Sequence, residues 1–130
     1  MSNSLITTGQ GTGLATILAG GGLAAVGKPF VQKIYLTSFE VAGVMYVDNI
    51  SELLREMKAG DSVRLVREPD NQYDKFAIRI ENMAGNKMGY IPRSLNHIPA
   101  RLMDAGKMII GQVQEKTSFR TFRVEMYLED

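Results

Sequence analysis

The chain has no cysteine and no tryptophan, and one histidine among its 130 residues. Without cysteine no disulfide framework can form, and a reducing compartment, the cytoplasm, is the expected setting. A single imidazole with no thiol leaves no zinc site of ordinary composition, so neither a metal nor a cofactor is expected. The same shortage counts against catalysis. His97 is the only imidazole, and the nucleophile candidates have no base at a recognisable spacing. Asp70 and Asp74, four residues apart, suit a turn better than an acid–base pair. We read the chain as a binder and not as an enzyme.

Charge is missing from one end. Residues 1–27 contain no Asp, Glu, Lys or Arg, yet hold seven of the 13 glycines. The apolar stretch Leu14 to Gly27 is 14 residues long, contains Thr16 and is broken by Gly20-Gly21-Gly22. Spanning a bilayer takes about 20 apolar residues, so no transmembrane helix is expected. No Lys or Arg precedes the stretch, as a secretory signal would require. Gly22 to Lys28 imitates the spacing of a phosphate-binding loop. Pro29, however, stands where the magnesium-ligating hydroxyl belongs, and no strand pattern leads into it. Residues 1–30 are expected to be a flexible Gly-rich apolar tail, and residues 31–130 a single domain. Overall, 15 Lys and Arg face 14 Asp and Glu, a net charge of +1. Proteins that hold nucleic acid mainly by charge usually carry a larger basic excess, so charge alone selects no partner.

What is present is mostly strand. Lys33 to Ala42 is rich in β-branched and aromatic residues, and Gly43 suggests a bend or bulge before a short continuation, Val44 to Val47. Asn49-Ile50-Ser51-Glu52 has the layout of a capping box. It would open a helix through Leu53, Leu54 and Met57, with Gly60 as a left-handed stop. Strands are expected near 62–67, 76–82 and 87–91, with a turn at Gly85-Asn86 between the last two. A second helix, around Pro99 to Ala105, would begin with proline and stop at Gly106. Two final strands lie near 108–115 and 120–128. In the latter, Phe122, Val124, Met126 and Leu128 alternate with Thr121, Arg123, Glu125 and Tyr127. The fold is expected to be mainly β, a small six- or seven-stranded OB-like β-barrel with two short helices.

The most informative block is Arg67-Glu68-Pro69-Asp70-Asn71-Gln72-Tyr73-Asp74-Lys75-Phe76-Ala77-Ile78. A strand runs into a polar loop here, and a second strand leaves it. Pro69 removes a ladder donor, and Asp70 and Asn71 suit a turn. The loop exceeds what a plain hairpin needs and holds carboxylates, an amide, a phenol and an ammonium group. Such a cluster on a strand-supported loop is where a ligand would be met.

This block, together with Phe39-Glu40-Val41-Ala42-Gly43-Val44 and Gly89-Tyr90-Ile91-Pro92-Arg93, resembles the HIRAN domain over roughly Lys33 to Leu128. That family occurs as a module in DNA-repair helicase-like proteins and as small free-standing bacterial proteins. The resemblance implies a β-barrel that binds the 3′ end of single-stranded DNA. On the matching positions, Tyr46, Tyr73 and Tyr90 would stack on bases. Asp74 would accept a hydrogen bond from the 3′-hydroxyl, and Asn71 would bond the same nucleotide. Arg93 would meet phosphate, with Lys75 and Arg67 as secondary candidates. A late aromatic, Phe119 or Phe122, would complete the site. Two positions depart from the pattern. Met45 stands where DNA-binding relatives carry a basic residue, and Tyr90 replaces a histidine of the best-known member. The alternative is a protein-interaction module that docks a partner through the tail or a sheet edge.

Overall fold

Alternation of apolar and polar side chains dictates most of the architecture. The computed structural model describes residues 32–118 and 121–129, and of residues 116–118 only the backbone. The chain divides into two units, residues 1–31 and 32–130, of which the second is described here. The expected tail and Phe119 lie outside the described residues. Six strands form one antiparallel sheet: β1 (Lys33–Glu40), β2 (Ser62–Arg67), β3 (Ile78–Glu81), β4 (Lys87–Tyr90), β5 (Met108–Ser118) and β6 (Thr121–Glu129). Two helices accompany them, α1 (Ile50–Glu56) and α2 (Arg93–Asp104). The strand order across the sheet is β1-β6-β5-β2-β3-β4.

The period-two pattern of β6 turns Phe122, Val124 and Met126 inward. They pack in a core with Ile78 and Ile80 of β3, Met88 of β4 and Val113 of β5, all essentially without solvent contact. Each such side chain contributes about 1.5–3 kcal/mol when fully buried. This core anchors the strands from which the connecting loops project.

The ladder does not close the sheet into a barrel. Past β1 the chain meets β4 in a single isolated bridge, where Ala42 and Tyr90 exchange two backbone hydrogen bonds of 2.9 Å. Directly afterwards Gly43 turns left-handed, at φ 73°, and ends the extended conformation. The expected continuation over Val44 to Val47 is therefore a single 3-10 turn, Val44–Tyr46. That bridge depends on Gly89, whose φ is +153°. A Cβ there would stand 2.6 Å from the Ala42 carbonyl oxygen and 2.6 Å from Val41 Cγ1.

The helices differ from expectation at their starts. Asn49 precedes α1 but is itself left-handed, at φ 52°, and makes no side-chain cap bond. A capping side chain needs an extended backbone at that position, so the capping box does not form. α2 begins at Arg93, after Pro92, and Pro99 lies inside it. Pro99 is buried, and its missing N–H removes the bond that would reach the Leu95 carbonyl. At the other end Gly106 does stop the helix. Its N–H donates to the Met103 carbonyl and that of Lys107 to the Leu102 carbonyl, both at 2.9 Å, the paired bonds of a Schellman motif.

Candidate functional site

Residues 68–77, between β2 and β3, form a loop that its own side chains build from within. The Asn71 carbonyl oxygen accepts the Tyr73 N–H at 2.8 Å and the Asp74 N–H at 3.0 Å. Asp74 Oδ1 accepts the Phe76 N–H at 2.9 Å. Short polar side chains that bond the backbone a few residues on hold a turn with no strand partner.

Further bonds knit the loop and bolt it to the scaffold. Glu68 Oε1 accepts the Asn71 amide at 3.0 Å and the Tyr90 hydroxyl at 2.9 Å, while its Oε2 pairs with Arg79 at 2.6 Å. Arg67 donates to the carbonyls of Ala77 and Lys75 and to both carboxylate oxygens of Asp104 on α2. Burial disfavours the charged form of Glu68. The Asn71 and Tyr90 hydrogen bonds and the cations Arg79 and Lys87 outweigh it and hold the carboxyl below its usual range. Glu68 is thus the joint between the loop, β3 and β4.

Beside this loop lies a cavity of about 410 Å³. Its lining brings together six of the residues singled out in the sequence: Tyr46, Asn71, Tyr73, Asp74, Tyr90 and Arg93. Tyr46 projects from the 3-10 turn and Tyr73 from the loop, with 84% and 78% of their surface exposed. Neither ring is spent on the core.

Asp74 is the best-tied residue of the cavity. Its Oδ2 accepts the Asn96 amide at 2.8 Å and lies 3.6 Å from Arg93 Nε. Burial pushes its pKa up. The Phe76 N–H, the Asn96 amide and the Arg93 and Arg67 charges together overcome that push, and the carboxyl stays below its ordinary range. It is therefore ionised at neutral pH. Two oxygens offer about four acceptor sites. The two hydrogen bonds occupy one on each, so a further donor can be accommodated.

Arg93 opens α2, keeps 71% of its side-chain surface exposed and donates to the Tyr73 carbonyl. Tyr90 is fixed at both ends, by the backbone bridge to Ala42 and by its hydroxyl bond to Glu68. Lys87 Nζ stands 4.7 Å from the centre of the Tyr90 ring, in cation–π range.

Other candidates stand apart from the cavity. Phe122 is wholly buried in the core and offers no ring face to a ligand. The Arg67 donors are committed to the fold, and the Lys75 ammonium lies 5.3 Å from the Phe76 ring. Asn71 lines the cavity, but its carbonyl oxygen already holds two backbone N–H groups, leaving one amide hydrogen for a ligand. Two cavity residues escaped the sequence reading. Asn96, 3% exposed, belongs to the first turn of α2 only because that helix starts at Arg93. Lys87 is three residues before Tyr90 and would face away from it in a regular strand. Among the described residues no group of three or more His, Asp or Glu side chains is gathered as a metal would need. Likewise, no described helix is long and apolar enough to cross a membrane.

Fold and cavity together define a mainly β domain with an open cavity beside its β2–β3 loop. The HIRAN domain family model matches residues 34–128, and the chain belongs to that family. The mouse helicase-like transcription factor is 30% identical over 89 residues, which cover 68% of this chain and 8% of that protein. The chain thus spans under a tenth of that relative's length. A crystal structure of a Lactobacillus plantarum protein superposes with a TM-score of 0.73 at 31% identity, covering 78% of this chain and 99% of the other. The HIRAN domain of human HLTF is 27% identical, with 75% of this chain and 78% of that chain covered. The TM-score is 0.61 for its crystal structure and 0.54 for its solution structure in the DNA-bound conformation.

Proposed function

We propose that the cavity receives the 3′-terminal nucleotide of single-stranded DNA and holds it without chemistry. The observation that carries this reading is Asp74, an ionised carboxylate with spare acceptor capacity in a cavity that two exposed tyrosines also line. A carboxylate repels phosphate, so in a nucleic-acid site it needs a donor to justify it. A free 3′-hydroxyl is such a donor and makes a charge-assisted hydrogen bond. A 3′-phosphate or a continuing strand is not, and Asp74 disfavours both. Tyr46 and Tyr73 stack on bases, and Arg93 meets a backbone phosphate. The DNA-bound form known of the HLTF domain supports nucleic acid as the ligand class. The Ala42–Tyr90 bridge suits this use by tying the segment that leads into the 3-10 turn to the strand that carries Tyr90. The domain marks, recruits to or shields a DNA end.

Binding by Tyr46→Ala and Tyr73→Ala variants, followed by fluorescence anisotropy of a labelled single strand, tests the stacking platform. Each should lose about 1–3 kcal/mol of affinity. Both should keep the wild-type melting temperature, because neither ring is buried. Unchanged binding by both variants would remove the platform from the account.

A further inference from the structure

Lys87 lies where no motif points, and a register shift is what brings it to the cavity. Between β3 and β4, Ile80 opposes Gly89 but Glu81 opposes Lys87, so one residue of β4 is extra at that step. A bulge of this kind reverses the alternation of faces beyond it. Lys87 and Tyr90, three apart, therefore project on the same side. The 4.7 Å contact of the ammonium with the ring and the presence of both residues in the cavity wall agree.

The charges of the lining make this position consequential. Three charged side chains line the cavity, Asp74, Lys87 and Arg93. Arg93 lies 3.6 Å from Asp74, so those two largely offset one another. Lys87 forms no ion pair within 4 Å among the described residues, although its field lowers the Glu68 pKa. Glu68 in turn is engaged by Asn71, Tyr90 and Arg79. Met45, exposed beside Tyr46, brings no charge. The uncompensated positive charge of the cavity is thus that of Lys87. Its contact with Tyr90 also means that the ring supports an ammonium on that face and is not open there to a base. A tyrosine held by its backbone and its hydroxyl makes a rigid shelf for this purpose.

We infer that Lys87 is a second phosphate-contacting cation of the cavity besides Arg93, with Tyr90 as its positioning residue and not a stacking platform. This rests on the nucleic-acid reading above. The phosphate it meets belongs to the strand upstream of its 3′ terminus, so the contact serves every strand equally and does not sense the end group.

The test is the salt dependence of single-strand binding by wild type, Lys87→Gln and Lys87→Arg, each with a 3′-hydroxyl and a 3′-phosphate strand. One lost phosphate contact on a single strand should flatten the slope of log K against log salt by about 0.7. At low salt Lys87→Gln should bind both strands about fivefold more weakly, with the ratio between them unchanged. Lys87→Arg should restore most of the slope and the affinity, which a role in packing alone would not predict. Tyr90→Leu should reproduce the flattened slope if the ring only seats the ammonium. If Lys87→Gln matches wild type in affinity and slope, the inference is wrong while the nucleic-acid reading stands. If Lys87→Gln alters only the end-group ratio, the upstream assignment is wrong. If wild type binds neither strand, both readings fall together.

Discussion

Asp74 carries more of the proposed function than any other residue, and its chemistry sets a pH expectation. Its carboxyl lies below the ordinary range despite burial, because the Phe76 N–H, Asn96, Arg93 and Arg67 favour the charged form. Preference for a 3′-hydroxyl strand over one with no free 3′ end should therefore be flat between about pH 5 and pH 8, since an ordinary Asp already titrates near 3.9. A preference that falls as pH drops from 7 to 5 would contradict the assignment. Asp74→Asn keeps the shape and one acceptor but removes the charge. It should shrink the preference for a hydroxyl end while leaving general affinity similar or higher. Glu68 gives the matching stability prediction. Its folded pKa is depressed, so its contribution is present above the unfolded value and is lost as pH falls through the lower folded value. Wild type should lose melting temperature steeply below about pH 4, and Glu68→Gln should start lower and lose less over that interval. Parallel curves for the two proteins would show that Glu68 does not stabilise the loop through its charge.

At the scale of elements, Gly89 ties β4 to the segment that carries Tyr46. A Cβ at this position would collide with the Ala42 carbonyl and Val41, and the positive φ is itself unfavourable for other residues. Gly89→Ala should cost about 2 kcal/mol, a fall of roughly 10 °C in a domain of this size. An unchanged melting temperature would mean that the bridge yields freely. The strands were largely legible beforehand, because alternation such as that of Phe122, Val124 and Met126 reads directly as a buried face. The loop was legible because its turn-forming residues are contiguous. Other features depended on contacts remote in sequence. Pro99 looked like a helix start, since proline is tolerated there, yet α2 begins at Arg93 and thereby delivers Asn96 to Asp74. The Asn49 pattern met a backbone too sharply turned to use it. Phe122 fitted both the expected late aromatic of the site and an amphipathic strand, and burial decides for the strand. Lys87 needed the bulge, which no spacing rule reveals.

For the molecule as a whole, near-neutral charge limits how it can hold a polyanion. With Arg93 and Lys87 as the cations of the cavity, about two phosphates are neutralised. The log–log salt slope should then be shallow, near −1.4. A slope several times steeper would require a basic surface outside the cavity. Affinity must accordingly come from stacking and from the end contact, which makes discrimination among ends the central claim. Fluorescence anisotropy tests it most directly, with otherwise identical single strands carrying a 3′-hydroxyl, a 3′-phosphate or no free 3′ end. A charge-assisted hydrogen bond contributes about 1.5–3 kcal/mol, so the hydroxyl end should bind about tenfold more tightly or better. Asp74→Ala should abolish the difference. Equal binding of all three strands by wild type would contradict the account.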